Sequence, residues 1–375
     1  MKQFTIRSII DFGELPVFDE ATTYPCLFAL DKSSTQSNSI KVAIVDTVSS
    51  SGIMETSIEE GKFFVSQDQL DDNGWKLVNE TVQNLLLKIK SSGQPLYNYV
   101  EGKVLYGIKT GYNEAFVIDG DTKNKLIEDD PKSAELIKPF LAGRDIKRYQ
   151  QPISDKWLIL IPKGFTIRKN LPEDSPYHIS EPMPRYGSMP ENVAWAWFAR
   201  NYPAIAEHLM FYKDKAEKRS DMGDFWWELR ACDYYSEFEK IKIIWPGISD
   251  VINCFAYDLQ SYYGNDNNQL IISDDTSLLA LLNSSLCKFY LMNTCDYVRG
   301  GFVRLKISYV SGFTVHKSFR LFKHDLSVLS DKILGLKSQN MDTDTSAIES
   351  QIDQLVYKLY HLTEEEIEII ENSIF

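Results

Sequence analysis

A chain of 375 residues, 43% hydrophobic and 25% charged, has apolar material for two or three compact units, which excludes a wholly disordered polypeptide. No stretch reaches the roughly 20 apolar residues that cross a bilayer, and the opening MKQFTIRSIIDFGELP lacks a signal-peptide run, so a cytoplasmic protein without a membrane partner is predicted. The net charge of −13 speaks against phosphate binding until it is mapped: residues 138–219 hold 14 Lys and Arg against 9 acids, a net of +5, whereas residues 340–375 hold 9 acids against one Lys, a net of −8.

In chain order, FTIRSIIDF and CLFAL read as short strands bridged by a turn-prone segment, and KVAIVDTV follows the polar SSTQSNS as another strand. WKLVNETVQNLLLKIKSSG then places Leu77, Val82, Leu85, Leu86 and Ile89 near helical spacing, and Ser91, Ser92 and Gly93 end the run. A boundary near residue 95 is expected, giving units 1–95, 96–320 and 321–375. The middle unit is a series of β-rich runs divided by Gly, Pro and Asn: KVLYGIKTG, AFVID, WLILIPKG, KIKIIWPGIS, VINCFAYD and NQLIISD. Two helices interrupt them, YPAIAEHLMFYKDKAEKR and DDTSLLALLNSSLCKFYLMNT, the second with Thr276 or Ser277 as its cap candidate. The middle unit is therefore predicted to be a mixed, mainly antiparallel sheet or partly open barrel with inserted helices. The end is helical: Leu321, Leu326, Leu329 and Leu336 recur at helical period, as do Ile348, Ile352, Leu355, Val356 and Leu359, and Thr363 with Glu366 makes a capping box. The fold class is α+β.

Several chemistries are tested by residues they require. The five cysteines, Cys26, Cys232, Cys254, Cys287 and Cys295, form no CxxC pair, and the histidines no HxxxH or HxH, so neither a disulfide framework nor a zinc site is expected. Amino-methyl transfer from AdoMet needs a Gly-rich strand-to-helix turn and an Asn/Asp-Pro-Pro-aromatic tetrapeptide; TTYPC (22–26) and SPYH (175–178) lack its polar residue and second Pro. D/ExK triplets such as Glu60–Lys62, Glu101–Lys103 and Asp145–Lys147 have no PD partner upstream, and such triplets arise by chance in a chain with 53 acids. No Walker A sequence, GxSxG elbow or HExxH occurs. No catalytic, cofactor-binding or metal-binding residue is assigned.

Three groups of segments, in order, resemble the TaqI-like C-terminal specificity domain of type II restriction-modification and N6-adenine DNA methyltransferase enzymes. They are YGIKTGYNEAFVID, LIKPFLAGRDIKRYQ and WLILIPKG (106–164); YPAIAEHLMFYKDKAEKRSDMGDFWWELR and KIKIIWPGIS (202–249); and SLLALLNSSLCKFYLMNT with RGGFVRLKISYVSGF (277–313). IIDFGELPVFDEATTYPCL is similar to the last strands of the α/β methyltransferase core that precedes this domain. Thr314 stands where the family commonly has Pro. The resemblance implies a target-recognition module for double-stranded DNA. Its partner would be the methyltransferase or endonuclease core, which would supply AdoMet and the adenine pocket, and unpaired edge strands would favour self-association.

The candidate DNA contacts are cations, each with a plain structural alternative. Arg144, Lys147 and Arg148 in GRDIKRY meet phosphates or pair with Asp145 and nearby acids. Arg168 and Lys169 enter a groove from a loop or form a solvated turn. Lys213, Lys215, Lys218 and Arg219, beside Trp226, Trp227 and Arg230, face DNA or make a solvated helix face, and the tryptophans read as core. Arg299 and Arg304 flank GGF in a turn. Two rivals stand beside the DNA reader: a helical assembly subunit without DNA binding, and an enzyme with an unrecognised nuclease site.

Overall fold

The structure is a computed structural model that describes residues 4–13, 15, 17, 18, 24–32, 39–45, 58, 59, 62–70, 75, 77–169, 189–298 and 300–373. Its architecture is α+β: several small, mostly antiparallel sheets among many helices. Parallel pairing among the described strands is confined to Thr5–Asp11 with Ser39–Ile44 and Tyr263–Gly264 with Ile137–Leu141. The single middle sheet or barrel expected from sequence is instead several sheets. Its strands run only two to five residues before a Gly, Pro or Asn turn re-aims the chain. Among the described residues no helix is long and apolar enough to cross a membrane.

The central strand Lys242–Pro246 lies between Ala256–Asp258 and Asn268–Ile272, and Val104–Tyr106 completes that sheet. Every residue of Lys242–Pro246 is buried, because its two faces belong to different cores. Ile243 and Trp245 point into a helical core, and Ile244 into a second core of sheet and aromatic residues. Burial on both faces removes the apolar–polar alternation of an ordinary surface strand. The helical core joins Leu85 and Ile89 of helix Glu80–Ser91 to Thr276–Leu282, Ser285–Thr294, Phe319–Gln339 and Ser346–Leu359. The second core joins Phe140, Leu158 and Leu229 to Phe198 and Leu209 of the helices Glu191–Asn201 and Pro203–Phe211.

A smaller cluster, Ile6, Ile9, Ile40, Val42 and Val65, lies under the N-terminal sheet, and Leu77 packs there. That sheet runs Cys26–Asp31, Thr5–Asp11, Ser39–Ile44, Lys62–Ser66. Its outer strand Cys26–Asp31 is exposed along its length except at Asp31, with Leu27, Phe28 and Leu30 each at least half exposed.

Capping explains where the helices begin and break. Asn79 caps Glu80–Ser91 by accepting from the Val82 amide at 2.9 Å. The cap of the helix at 276 is Asp275, which accepts from the Ser277 amide at 3.1 Å, and not Thr276 or Ser277. The long helix expected there breaks at Asn283. Its buried carboxamide exchanges two bonds with the backbone of Phe255, and Ser284 caps the next helix. The capping box read from sequence is present: the Thr363 hydroxyl accepts from the Glu366 amide at 3.3 Å, and the Glu366 carboxylate accepts from the Thr363 amide at 2.8 Å. Glu366 also pairs with Lys88, tying the last helix to Glu80–Ser91. Thr363→Ala is expected to cost about 1 kcal/mol of stability in urea titrations, and a variant as stable as the parent would show that the box contributes nothing.

Candidate nucleic-acid interface

Turns leaving the sheet of Lys242–Pro246 interlock with turns leaving a second sheet, ordered Tyr263–Gly264, Ile137–Leu141, Lys156–Ile159, Val117–Asp119. Gly107 donates its amide to the Asn268 carbonyl (2.8 Å), Ile108 to Gly264 (2.7 Å), Asn265 to Leu141 (3.0 Å) and Gly247 to Asn267 (2.5 Å). Segments far apart in sequence are thereby held together: the turn after Tyr106, the turn at Ala142–Asp145, Gly247, and the tip at Asn265–Asn267. Gly107 has no substitute here, since a Cβ would sit 1.8 Å from the Asn265 carbonyl oxygen.

Cations project from this framework. Arg144 is 82% exposed at its side chain and lies 3.9 Å from Asp145, whose carboxylate is held by the Ala142 amide at 3.0 Å. Lys147 is exposed. Arg304 is exposed on Phe302–Arg304 and pairs in register with Ile248, next to Gly247. From Gly107 the turn continues to Lys109, which binds Asp221 at 2.9 Å, and Asp221 also holds Arg230 at 3.4 Å.

Arg168 and Lys169 end the short helix Phe165–Lys169, and both are exposed. The start of that helix is clamped by Glu228, which is fully buried. Its carboxylate accepts from the amides of Gly164 (2.9 Å), Thr166 (3.0 Å) and Asp224 (3.0 Å). Burial raises the Glu228 pKa, against the pull of those amides. Trp227 adds a bond from its indole nitrogen to the Thr166 hydroxyl at 2.9 Å. The short helix bearing Arg168 is therefore braced at its start.

Residues 138–315 match the model of the TaqI-like C-terminal specificity domain. This segment is similar to a TaqI-like specificity domain. The type II methyltransferase M.BstVI of Geobacillus stearothermophilus is 18% identical over 389 residues, covering 99% of this chain and 62% of that protein. The type IIL restriction-modification enzyme MmeI, solved in complex with DNA, shares the fold with a TM-score of 0.56 at 12% identity, covering 96% of this chain and 44% of that one. The chain thus spans less than two thirds of the length of either.

Within the matched segment, two of the candidate cations, Arg219 and Arg148, need correction. Arg219 is only 8% exposed. Its guanidinium donates to the carbonyls of Thr110, Trp226 and Glu228 and lies 4.1 Å from the Phe116 ring centre. Burial pulls its pKa down to about 10, which leaves it charged at neutral pH. It is an internal staple between the Thr110 turn and the Trp226–Glu228 loop, and no part of a DNA-facing surface. Arg148 turns inward as well, pairing with Glu349 on Ser346–Leu359 and donating to the Asn283 carbonyl. Lys213 pairs with Glu217 at 3.2 Å, while Lys215 and Lys218 are exposed beside it. Arg299 lies outside the described residues.

Trp226 and Trp227 are core, packed against Trp195 at centroid distances of 4.9 and 5.0 Å. Of the D/ExK fragments, Glu101 pairs with its own Lys103 at 3.1 Å, and Asp145 caps its own turn. Glu60 and Gly61 lie outside the described residues. Sequence reasoning passed over Lys109, Lys163 and the Asn265–Asn268 turn.

Proposed function

We propose that this chain is the DNA target-recognition part of a type II restriction-modification or DNA adenine methyltransferase system, and that it is not catalytic alone. The observation that carries the reading is the interlocked turn edge of the segment similar to the TaqI-like specificity domain, with Arg144, Lys147 and Arg304 on it and Arg230 joined to it through Asp221 and Lys109; Arg168, Lys169 and Lys215 are further exposed cations of the same segment. Exposed cations on a fixed framework suit phosphate contacts that set register, leaving base edges to side chains of defined placement. The partner is the methyltransferase or endonuclease core. It brings AdoMet and the adenine pocket, whose sequence motifs do not occur in this chain. Leu27, Phe28 and Leu30 on the exposed outer strand are the natural place for that core, or a second copy, to add.

The test is a salt series on Arg144→Gln with Lys147→Gln, leaving Arg148 intact because it pairs with Glu349. Binding to target and scrambled duplexes should weaken alike. The slope of log K against log salt should flatten by about 0.9 for each phosphate that is no longer neutralised. An unchanged slope in the folded double variant would remove this turn from the DNA face.

A second reading, assembly through the C-terminal helices, rests on a groove between Phe319–Gln339 and Ser346–Leu359 lined by His324, Val328, Leu329, Gln351, Leu355 and Lys358. Its signature would be a chain that associates with its partners yet shows no DNA affinity at low salt.

A further inference from the structure

The Asn265–Asn268 turn combines a fixed backbone with unengaged side chains. Its backbone is gripped on several sides: Asn265 donates to Leu141, Asn267 accepts from Gly247, and Asn268 accepts from Gly107. Internally, the Asn267 amide donates to the Asn265 side-chain oxygen at 3.2 Å, and the buried Asn268 carboxamide donates to the Leu141 carbonyl at 2.9 Å. The approach at Gly247 is close enough that a Cβ there would lie 2.8 Å from the Asn267 carbonyl oxygen.

Two side chains take no part in this grip. Asp266 and Asn267 are exposed, and neither side chain has a hydrogen-bond or ion-pair partner among the described residues. They sit between cations: Gly143, whose own Cβ position lies 3.2 Å from the Asn268 side-chain oxygen, leads into Arg144. On the other side, Gly247 accepts from the Leu305 amide at 2.9 Å, next to Arg304. A carboxylate beside phosphate-binding cations is repelled by the DNA backbone, so its place at this tip suits a donor on a base edge, such as an exocyclic amine. A carboxamide donates and accepts together, the pattern that matches adenine N7 and N6 in the major groove.

We propose that this turn is a base-reading finger in which Asn267 reads an adenine and Asp266 accepts from a neighbouring base amine. The inference rests on the DNA-recognition reading and adds to it the residues that set specificity. The turn's grip uses the Asn267 backbone, so its side chain is open to substitution without loss of the fold.

The experiment selects bound duplexes from a pool with randomised centres, using wild type, Asn267→Ala, Asn267→Asp and Asp266→Asn, each with its melting temperature. Asn267→Ala should relax preference at one base pair by about 5- to 150-fold, leave the other positions and the melting temperature unchanged, and keep the salt slope. Asn267→Asp, which can only accept, should move the same position from adenine toward cytosine, a change that no structural role produces. Asp266→Asn should alter a different position. A wild-type consensus kept at every position by a folded Asn267→Ala would overturn this proposal and leave the DNA reading standing. Wild-type protein that enriches no sequence and retains no duplex would sink both.

Discussion

Arg219→Met is expected to destabilise the protein by about 3–5 kcal/mol and to abolish duplex binding together with it. The guanidinium serves three buried carbonyls, on Thr110, Trp226 and Glu228, and Met fills its volume without donating to any of them. A buried acceptor left unpaired costs about 1–3 kcal/mol, and three share one donor here. The staple also sets the site. Thr110 lies between Lys109 and Gly111, and Glu228 clamps the start of the short helix that carries Arg168 and Lys169. Arg219→Lys keeps the charge but replaces a planar fork with a single ammonium, so it should recover only part of the loss. Urea denaturation with duplex binding on each variant decides the matter. An Arg219→Met protein within 1 kcal/mol of wild type that has lost only DNA affinity would return Arg219 to the DNA surface.

The second large effect lies in the central strand. Lys242 and Asp258 are both fully buried and form an ion pair at 2.6 Å. Lys242 also donates to the Phe238 carbonyl at 2.6 Å, and Asp258 accepts from the Gln260 and Tyr262 amides at 2.8 and 2.9 Å. Burial drives the Lys242 pKa down, and the neighbouring carboxylate opposes that shift. Removing one partner leaves the other charge without compensation, so Lys242→Met should cost about 3–5 kcal/mol. The double variant Lys242→Met with Asp258→Asn should cost less than Lys242→Met alone, because the stranded charge is gone and only one hydrogen bond from a backbone amide is lost. A double-mutant cycle in urea should return a coupling on the order of 2 kcal/mol. Additive losses would mean that the two charges are solvated independently. Lys242 begins the strand that ends at Pro246–Gly247, so this pair also holds one wall of the turn edge.

Much of the molecule was legible locally. The helices around Glu80–Ser91, Pro203–Phe211, Phe319–Gln339 and Ser346–Leu359 follow from apolar spacing. The Thr363–Glu366 box follows from two residues three apart, because capping is a contact between sequence neighbours. The same holds for the strands Lys242–Pro246 and Asn268–Ile272, whose β-branched and aromatic residues favour extended backbone. The likeness to the specificity-domain family was legible through its ordered segments, since together they mark one chain path. Strands without such patterns were missed, among them Ile137–Leu141 with its internal Pro, and Gly93–Pro95, which read as a helix stop and pairs with Thr314–His316.

The sequence by itself determined the α+β class, most of the helices and the cationic composition of residues 138–219, because these depend on residue type and on neighbours within a few positions. It could not say which cations face outward. Arg144, Arg148 and Arg219 are chemically alike and lie in similar polar stretches, yet one is exposed, one is held by Glu349 on a helix some two hundred residues later, and one is enclosed by three carbonyls. Those fates follow from contacts between distant segments. The tertiary structure alone supplies them, because a buried guanidinium persists only where the fold has already brought its acceptors together.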